Sequence, residues 1–207
     1  MKNNFYFKEP FSNIYKLPNI RSEVTSQILY GERFKILSKR KGWIKIKSLY
    51  DRYSGFIKDK KYVKELKISH KVSNIQANIF NKPNVRTKKK LYFGSKLSAI
   101  EKRNGFVRFE KNRWVKLKDI KKIAHKEKDF IKIFKLFLKT KYVWGGKTSK
   151  GIDCSALLQI FFYYNNLFYP RDTKDQIKYS KKKISKKFEK GDIIFSKGHV
   201  AICINSK

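Results

Sequence analysis

Cys154 and His199 are the residues whose types and surroundings suit nucleophilic chemistry. Cys154 follows a turn containing Gly151 and opens an apolar run through Ala156, Leu157, Leu158, Ile160, Phe161 and Phe162, which reads as a helix from about Cys154 to Asn165. A thiol at a helix amino terminus has its thiolate form favoured by unpaired backbone N–H groups and the helix dipole. A thiolate nucleophile also needs a base that can hold and return a proton near neutrality, and imidazole suits that task. His199 begins the run His199-Val200-Ala201-Ile202, which reads as a β-strand that can fold back against the helix. Backbone N–H groups in the first turn of the Cys154 helix are candidate donors for the negative charge that develops on an attacked carbonyl.

The remaining cysteine and histidines have plainer readings. Cys203 lies inside an apolar strand and is expected to pack as a small hydrophobe. His70 and His125 lie in Lys-rich connectors and are expected to be solvated. Two cysteines without CxxC spacing make neither a disulfide framework nor a zinc or redox site, so no metal and no cofactor is expected.

The two reactive candidates stand within five ordered motifs: Tyr142-x-Trp144-Gly145-Gly146, Gly151-x-Asp153-Cys154-Ser155, Pro170-Arg171-Asp172-Thr173-x-x-Gln176, Gly191-Asp192-Ile193-x-Phe195 and His199-Val200-Ala201-Ile202. Their order and spacing over residues 126–207 resemble the NlpC/P60 family of papain-like cysteine peptidases. The resemblance implies Cys154 as nucleophile and His199 as general base, acting on γ-D-glutamyl-diamino acid bonds in peptidoglycan-derived peptides such as L-Ala-γ-D-Glu-diaminopimelate. It further implies that Asp153 binds a free substrate amino group, that Tyr142 and Ser155 line the site, and that Thr173 meets the D-Glu carboxylate. Glu23 and Tyr53, from a preceding domain, are implied to close one side of the cleft. A small ammonium group among Asp153, Glu23 and phenol hydroxyls would be held by charge-assisted hydrogen bonds.

In the family, a further strand beyond the histidine carries a third polar residue, usually His, that orients the base. This sequence ends at Lys207, before such a strand. Loss of an orienting group typically costs orders of magnitude in rate. The alternative expectation is therefore a catalytically impaired cell-wall-peptide-binding protein.

The elements that must position these residues can also be read. Phe130, Ile131, Phe134, Leu136, Phe137 and Leu138 fall near helical spacing with Lys on the other face, predicting a helix that ends near Thr140. Gly191 to Phe195 and His199 to Ile204 predict two strands joined by a Lys-Gly turn. Upstream, Ser12-Asn13-Ile14-Tyr15-Lys16-Leu17-Pro18-Asn19-Ile20-Arg21 returns as Ala77-Asn78-Ile79-Phe80-Asn81-Lys82-Pro83-Asn84-Val85-Arg86, and Gly31, Arg40 and Gly42 are echoed by Gly94, Arg103 and Gly105. Short β-rich runs between turns fill both copies. The repeat resembles the bacterial SH3 (SH3b) family, the second copy being degenerate. The expected fold is α+β: SH3b β-barrels at 1–66 and 67–122, then a papain-like NlpC/P60 domain at 123–207.

Composition excludes disorder, because 41% of residues are hydrophobic and 15% aromatic. The formal charge of +36 is a field that draws in anions. Charge alone motivates a nucleic-acid-associated reading, which predicts tight, steeply salt-dependent binding; the enzyme reading expects no specific nucleic-acid partner. Met1 to Leu17 has no continuous apolar stretch, so neither a signal peptide nor a membrane partner is expected and the cytoplasm is the default location.

Overall fold

Alternating apolar and charged side chains build most of this chain into strands. In β5 (Trp43–Ser48), for instance, Ile44 and Ile46 are buried while Lys45 and Lys47 are exposed, the period of two that puts one sheet face on a core. The computed structural model describes residues 4–182 and 187–206; Met1 and Lys207, the outer limits of the expected first and third domains, lie outside the described residues.

A seven-stranded sheet comprises β1 (Asn4–Phe7), β2 (Phe11–Tyr15), β3 (Val24–Leu29), β4 (Arg33–Arg40), β5, β6 (Ser54–Lys58) and β7 (Tyr62–Val63) in the order β3-β2-β6-β5-β4-β1-β7. Beneath it pack Phe7, Ile14, Ile28, Phe34, Ile44, Ile46 and Ile57. The following segment holds β8 (His70–Val72), β9 (Gln76–Lys82), β10 (Val85–Tyr92), β11 (Lys96–Leu97), β12 (Glu101–Arg103), β13 (Phe106–Glu110), β14 (Arg113–Lys116), a 3-10 turn (Leu117–Asp119) and β15 (Ile120–Lys122). Its five-stranded sheet, β10-β9-β14-β13-β12, repeats the order β3-β2-β6-β5-β4, and β11-β8-β15 form a separate three-stranded sheet. Gly31 and Gly94, like Gly42 and Gly105, share positive φ, so the repeat in the sequence is a repeat in backbone shape.

The expected barrels are not closed: each sheet is an open ladder. β3, an end strand of its sheet, is turned to the third segment. Its Ser26 and Gln27 side chains bond to Arg171 and to the Lys147 backbone of the third segment. His70 also departs from its solvated reading, because it lies on β8 and is buried; His125 is exposed as expected.

The third segment contains α1 (Phe130–Leu136), β16 (Lys147–Thr148), β17 (Gly151–Ile152), α2 (Cys154–Tyr164), α3 (Thr173–Tyr179), β18 (Ile193–Ser196) and β19 (His199–Ile202). The whole is mostly sheet with few helices. Asp129 caps α1, and the chain turns away at Phe137, with Lys139 left-handed, so the helix is shorter than its apolar pattern. β18 and β19 form the expected hairpin, with Ser196 opposite His199. Among the described residues, no helix is long and apolar enough to cross a membrane.

A shared core joins the three segments: Leu29 from the first, Tyr92 and Phe93 from the second, and Ile133, Phe137, Ile160 and Tyr164 from the third. Buried polar joints add direction. Lys147 bonds Glu32 at 2.7 Å, Lys8 pairs with Glu110, and Tyr30 donates to Glu110 at 2.7 Å. Where Gly31 passes the second segment, a Cβ would lie 1.8 Å from the Lys96 carbonyl oxygen, so only glycine permits that approach.

Candidate active site

Cys154 is the first residue of α2 because Asp153 caps that helix, its carboxylate accepting the Ala156 N–H at 2.7 Å. The β16–β17 turn delivers the chain to this cap. A parallel bridge between Tyr142 and Ile152 sets Tyr142 beside it, and Tyr142 lines the same cavity as Cys154. Burial, followed by the neighbouring Cys154 and Asp153, raises the Tyr142 pKa, so this phenol stays protonated at neutral pH.

Seven of the eight expected site residues line one cavity of about 540 Å³: Glu23, Tyr53, Tyr142, Asp153, Cys154, Ser155 and Thr173. His199 lines an adjoining, mainly apolar cavity of about 510 Å³ that shares Tyr142, Asp153 and Cys154 with the first. Cys154 thus stands on the wall between the two. His199 is exposed, and among the described residues no hydrogen bond orients its ring. Its strand is nevertheless anchored, since Val200 is buried with Leu158 of α2 and Tyr169. Cys203 is half-buried and its thiol donates to the Asn205 carbonyl.

Arg171 organises the floor of the larger cavity. It is 3% exposed, and it donates to both oxygens of Asp153 at 3.0 and 2.6 Å, to Ser155 Oγ at 2.9 Å and to Ser26 Oγ of β3 at 3.0 Å. Asp153 also accepts from Gly145 N at 3.0 Å and from Ser155 Oγ at 3.1 Å. The carboxylate therefore has donors on both oxygens. Nothing in the motif Pro170-Arg171-Asp172-Thr173 announced this partner, because Ser26 is 145 positions away.

The first sheet supplies the opposite wall. Glu23 accepts from Trp144 Nε1 at 3.0 Å and pairs with Lys16 at 3.5 Å. Tyr53 shares the cavity lining with Thr25 and Asp172; burial and then the Asp172 carboxylate push its pKa up. Asp172 is itself raised by burial, against the opposing charges of Arg171 and Lys174. Lys16, Thr25, Arg171, Asp172 and Lys174 are lining residues absent from the sequence-based expectation. Gln176 locks α3 to the site, donating at 2.9 Å both to the Ser155 and to the Pro170 carbonyl oxygens. Among the described residues, no group of three or more His, Cys, Asp or Glu side chains is arranged to hold a metal ion.

A cavity built between a sheet and the cap of a cysteine-bearing helix has counterparts in known proteins. Residues 139–207 match the NlpC/P60 family and residues 14–61 match the bacterial dipeptidyl-peptidase Sh3 domain. The chain thus carries an NlpC/P60 peptidase-family domain behind a bacterial SH3 domain. It is 25% identical over 220 residues to dipeptidyl-peptidase 6 of Lysinibacillus sphaericus, covering 92% of this chain and 80% of that protein. It is 26% identical over 189 residues to the gamma-D-glutamyl-L-lysine dipeptidyl-peptidase of Bacillus subtilis, covering 83% of this chain and 64% of the relative. The crystal structure of an NlpC/P60 family protein from Bacillus cereus superposes with a TM-score of 0.81 at 17% identity, over 98% of this chain and 88% of that one, which establishes the likeness of fold.

Proposed function

We propose that this protein is a cysteine peptidase that hydrolyses γ-D-glutamyl-diamino acid bonds in peptidoglycan-derived peptides, with Cys154 as nucleophile and His199 as general base. The observation that carries this reading is the convergence of Cys154, Tyr142, Asp153, Ser155, Thr173, Glu23 and Tyr53 on one cavity, with His199 on the wall adjoining it. The relatives' names support the bond class. In this reading residues 1–66 and 67–122 are two SH3b units, the second recognised by its repeated strand order, and residues 123–207 are the peptidase unit.

The chemistry follows from position. The Cys154 thiolate attacks the γ-glutamyl carbonyl carbon, and N–H groups in the first turn of α2 receive the charge developing on oxygen. The C–N bond breaks as the His199 imidazolium gives its proton to the leaving amine. Imidazole then takes a proton from water, the resulting hydroxide attacks the thioester, and the acid product and thiol are released. Glu23, with Asp153 and Tyr53 nearby, is a natural counter-ion for a free substrate ammonium, while Thr173 presents a hydroxyl to a carboxylate.

The exposed His199 ring, with no orienting hydrogen bond among the described residues, favours one alternative, a cell-wall-peptide-binding protein with impaired catalysis. Incubating the purified protein with L-Ala-γ-D-Glu-diaminopimelate separates the two. Release of diaminopimelate that falls by about 1,000-fold or more in Cys154→Ala and in His199→Ala is expected for the peptidase. Calorimetric binding of the intact peptide without release would assign the alternative.

A further inference from the structure

The second segment has a cavity of its own, remote from Cys154. About 770 Å³ in volume, it opens where the turns holding Asn84 and Asn104-Gly105 meet the 3-10 turn and the β8–β15 pair. Five lysines line it, Lys102, Lys116, Lys118, Lys121 and Lys122, together with His70, and no acidic residue does. None of the five has a carboxylate partner among the described residues. The two acids adjacent in sequence are turned to other uses: Asp119 is buried and accepts from Asn74 Nδ2 at 2.7 Å, and Glu101 pairs with Arg108 at 2.8 Å. His70 registers the resulting field: burial first, then Lys102 and Lys122, lower its pKa.

We propose that this cavity binds a linear phosphate polymer, recognised through its phosphate groups alone. Lysine ammonium groups are compact point charges suited to phosphate oxygens, and five around one concavity can meet successive phosphates of a flexible chain. Duplex DNA fits less well, since a rod with a persistence length of about 50 nm does not bend into a pocket at the end of one small sheet. Single-stranded nucleic acid is disfavoured because the aromatic ring at the site, Phe106, is buried and offers no face for a base to stack on. The overall charge of +36 does not by itself make such a site, because lysines cover the whole surface; what is local is the convergence of five without an acid.

The test compares two variants with the same change in net charge. One replaces Lys102, Lys118, Lys121 and Lys122 by Gln; the other replaces Lys35, Lys47, Lys60 and Lys64 by Gln. All eight are exposed, so folding should survive, which circular dichroism checks. Anisotropy of labelled inorganic polyphosphate is then read across a salt series. The cavity variant should bind at least about tenfold more weakly near physiological salt, and its log–log salt slope should shrink from about −3.5 toward −0.7, on a flexible-strand value of about −0.7 per phosphate neutralised. The control variant should lose less than about threefold. Equal losses in the two variants would reduce the effect to bulk charge and overturn the proposal. So would cavity-dependent binding of polyglutamate or duplex DNA as tight as that of polyphosphate, or an orthophosphate affinity equal to the polymer's per phosphate.

Discussion

Replacing Arg171 by Met removes the cation that holds the cavity floor together. The guanidinium makes two bonds to Asp153 and one each to Ser155 and Ser26, all of them buried. Methionine fills a similar volume but leaves the Asp153 charge buried with only the Ala156 N–H, Gly145 N–H and Ser155 hydroxyl as donors. Breaking one side of a buried ion pair typically costs about 3–5 kcal/mol, and the three surviving donors place this case toward the lower end. For a chain of this size each kcal/mol lowers Tm by roughly 2–4 °C, so a fall of about 10 °C is expected. Urea unfolding of wild type, Arg171→Met, Asp153→Asn and the double variant completes a cycle. The double variant buries no charge and should be more stable than the summed single losses predict, by about 2 kcal/mol. Arg171→Lys should recover only part, since an ammonium cannot engage both carboxylate oxygens as a fork does. A loss below about 1 kcal/mol for Arg171→Met, or strict additivity in the cycle, would refute the view of this pair as the organiser of the site.

Gly145→Ala should destabilise by about 2 kcal/mol or more, because φ is +74° and a Cβ would lie 2.3 Å from the Val24 carbonyl oxygen; Gly42→Ala, with φ +78° and nothing within 4 Å, isolates the conformational part, and equal urea midpoints for the two would contradict the contact. Glu23→Gln should raise KM about tenfold for a peptide with a free amino terminus and leave an acetylated one unchanged, which steady-state kinetics on both peptides would show. The Lys71 ammonium, buried against the His125 and Tyr164 carbonyls, has its pKa lowered to about 8 by burial, then by Lys126 and Lys96. Its folded pKa lies below the unfolded value of 10.5, so the unfolded chain holds more protons between the two. Wild type should therefore gain stability relative to Lys71→Met, by up to about 3 kcal/mol, as pH rises from about 8 to 10.5, and parallel unfolding free energies across that window would exclude this.

What could be read in advance divides along the range of the interactions involved. The Asp-Cys-Ser triplet was legible because helix capping acts over three residues, and α2 starts where the cap requires. The sheet repeat was legible because turn glycines and alternating apolar residues are local signals. α3 was not: Thr173-Lys174-Asp175-Gln176-Ile177-Lys178-Tyr179 has a single aliphatic residue, and the helix is tied down by the Gln176 amide bonding two backbone carbonyls. His70 misled because Lys64, Lys67 and Lys71 stand near it in sequence, while the strands that bury it lie elsewhere in the chain. The buried Lys147–Glu32 pair likewise inverts the usual expectation that lysine faces water, and only its partner 115 positions away explains it.

The same long-range pairs explain why a small sheet belongs to the cavity at all. Buried ion pairs add little net stability over apolar packing, since desolvation offsets attraction, but they penalise any arrangement that separates the partners. The Lys147–Glu32 pair, with Ser26 and Gln27 of β3 engaging Arg171 and the Lys147 backbone, therefore selects one docking of the first sheet on α2 among the many that apolar packing alone would accept. That docking puts Glu23 and Tyr53 opposite Cys154. On the other side of the cysteine, no such pair constrains His199 among the described residues; Val200, packed on Leu158 and Tyr169, fixes the strand while the imidazole one residue earlier is exposed. The wall opposite Cys154 is thus specified by directional polar contacts, whereas His199 is held only through its backbone. For this reason, substitutions at the joint should act mainly through KM and stability, and the orientation of the His199 ring should govern kcat.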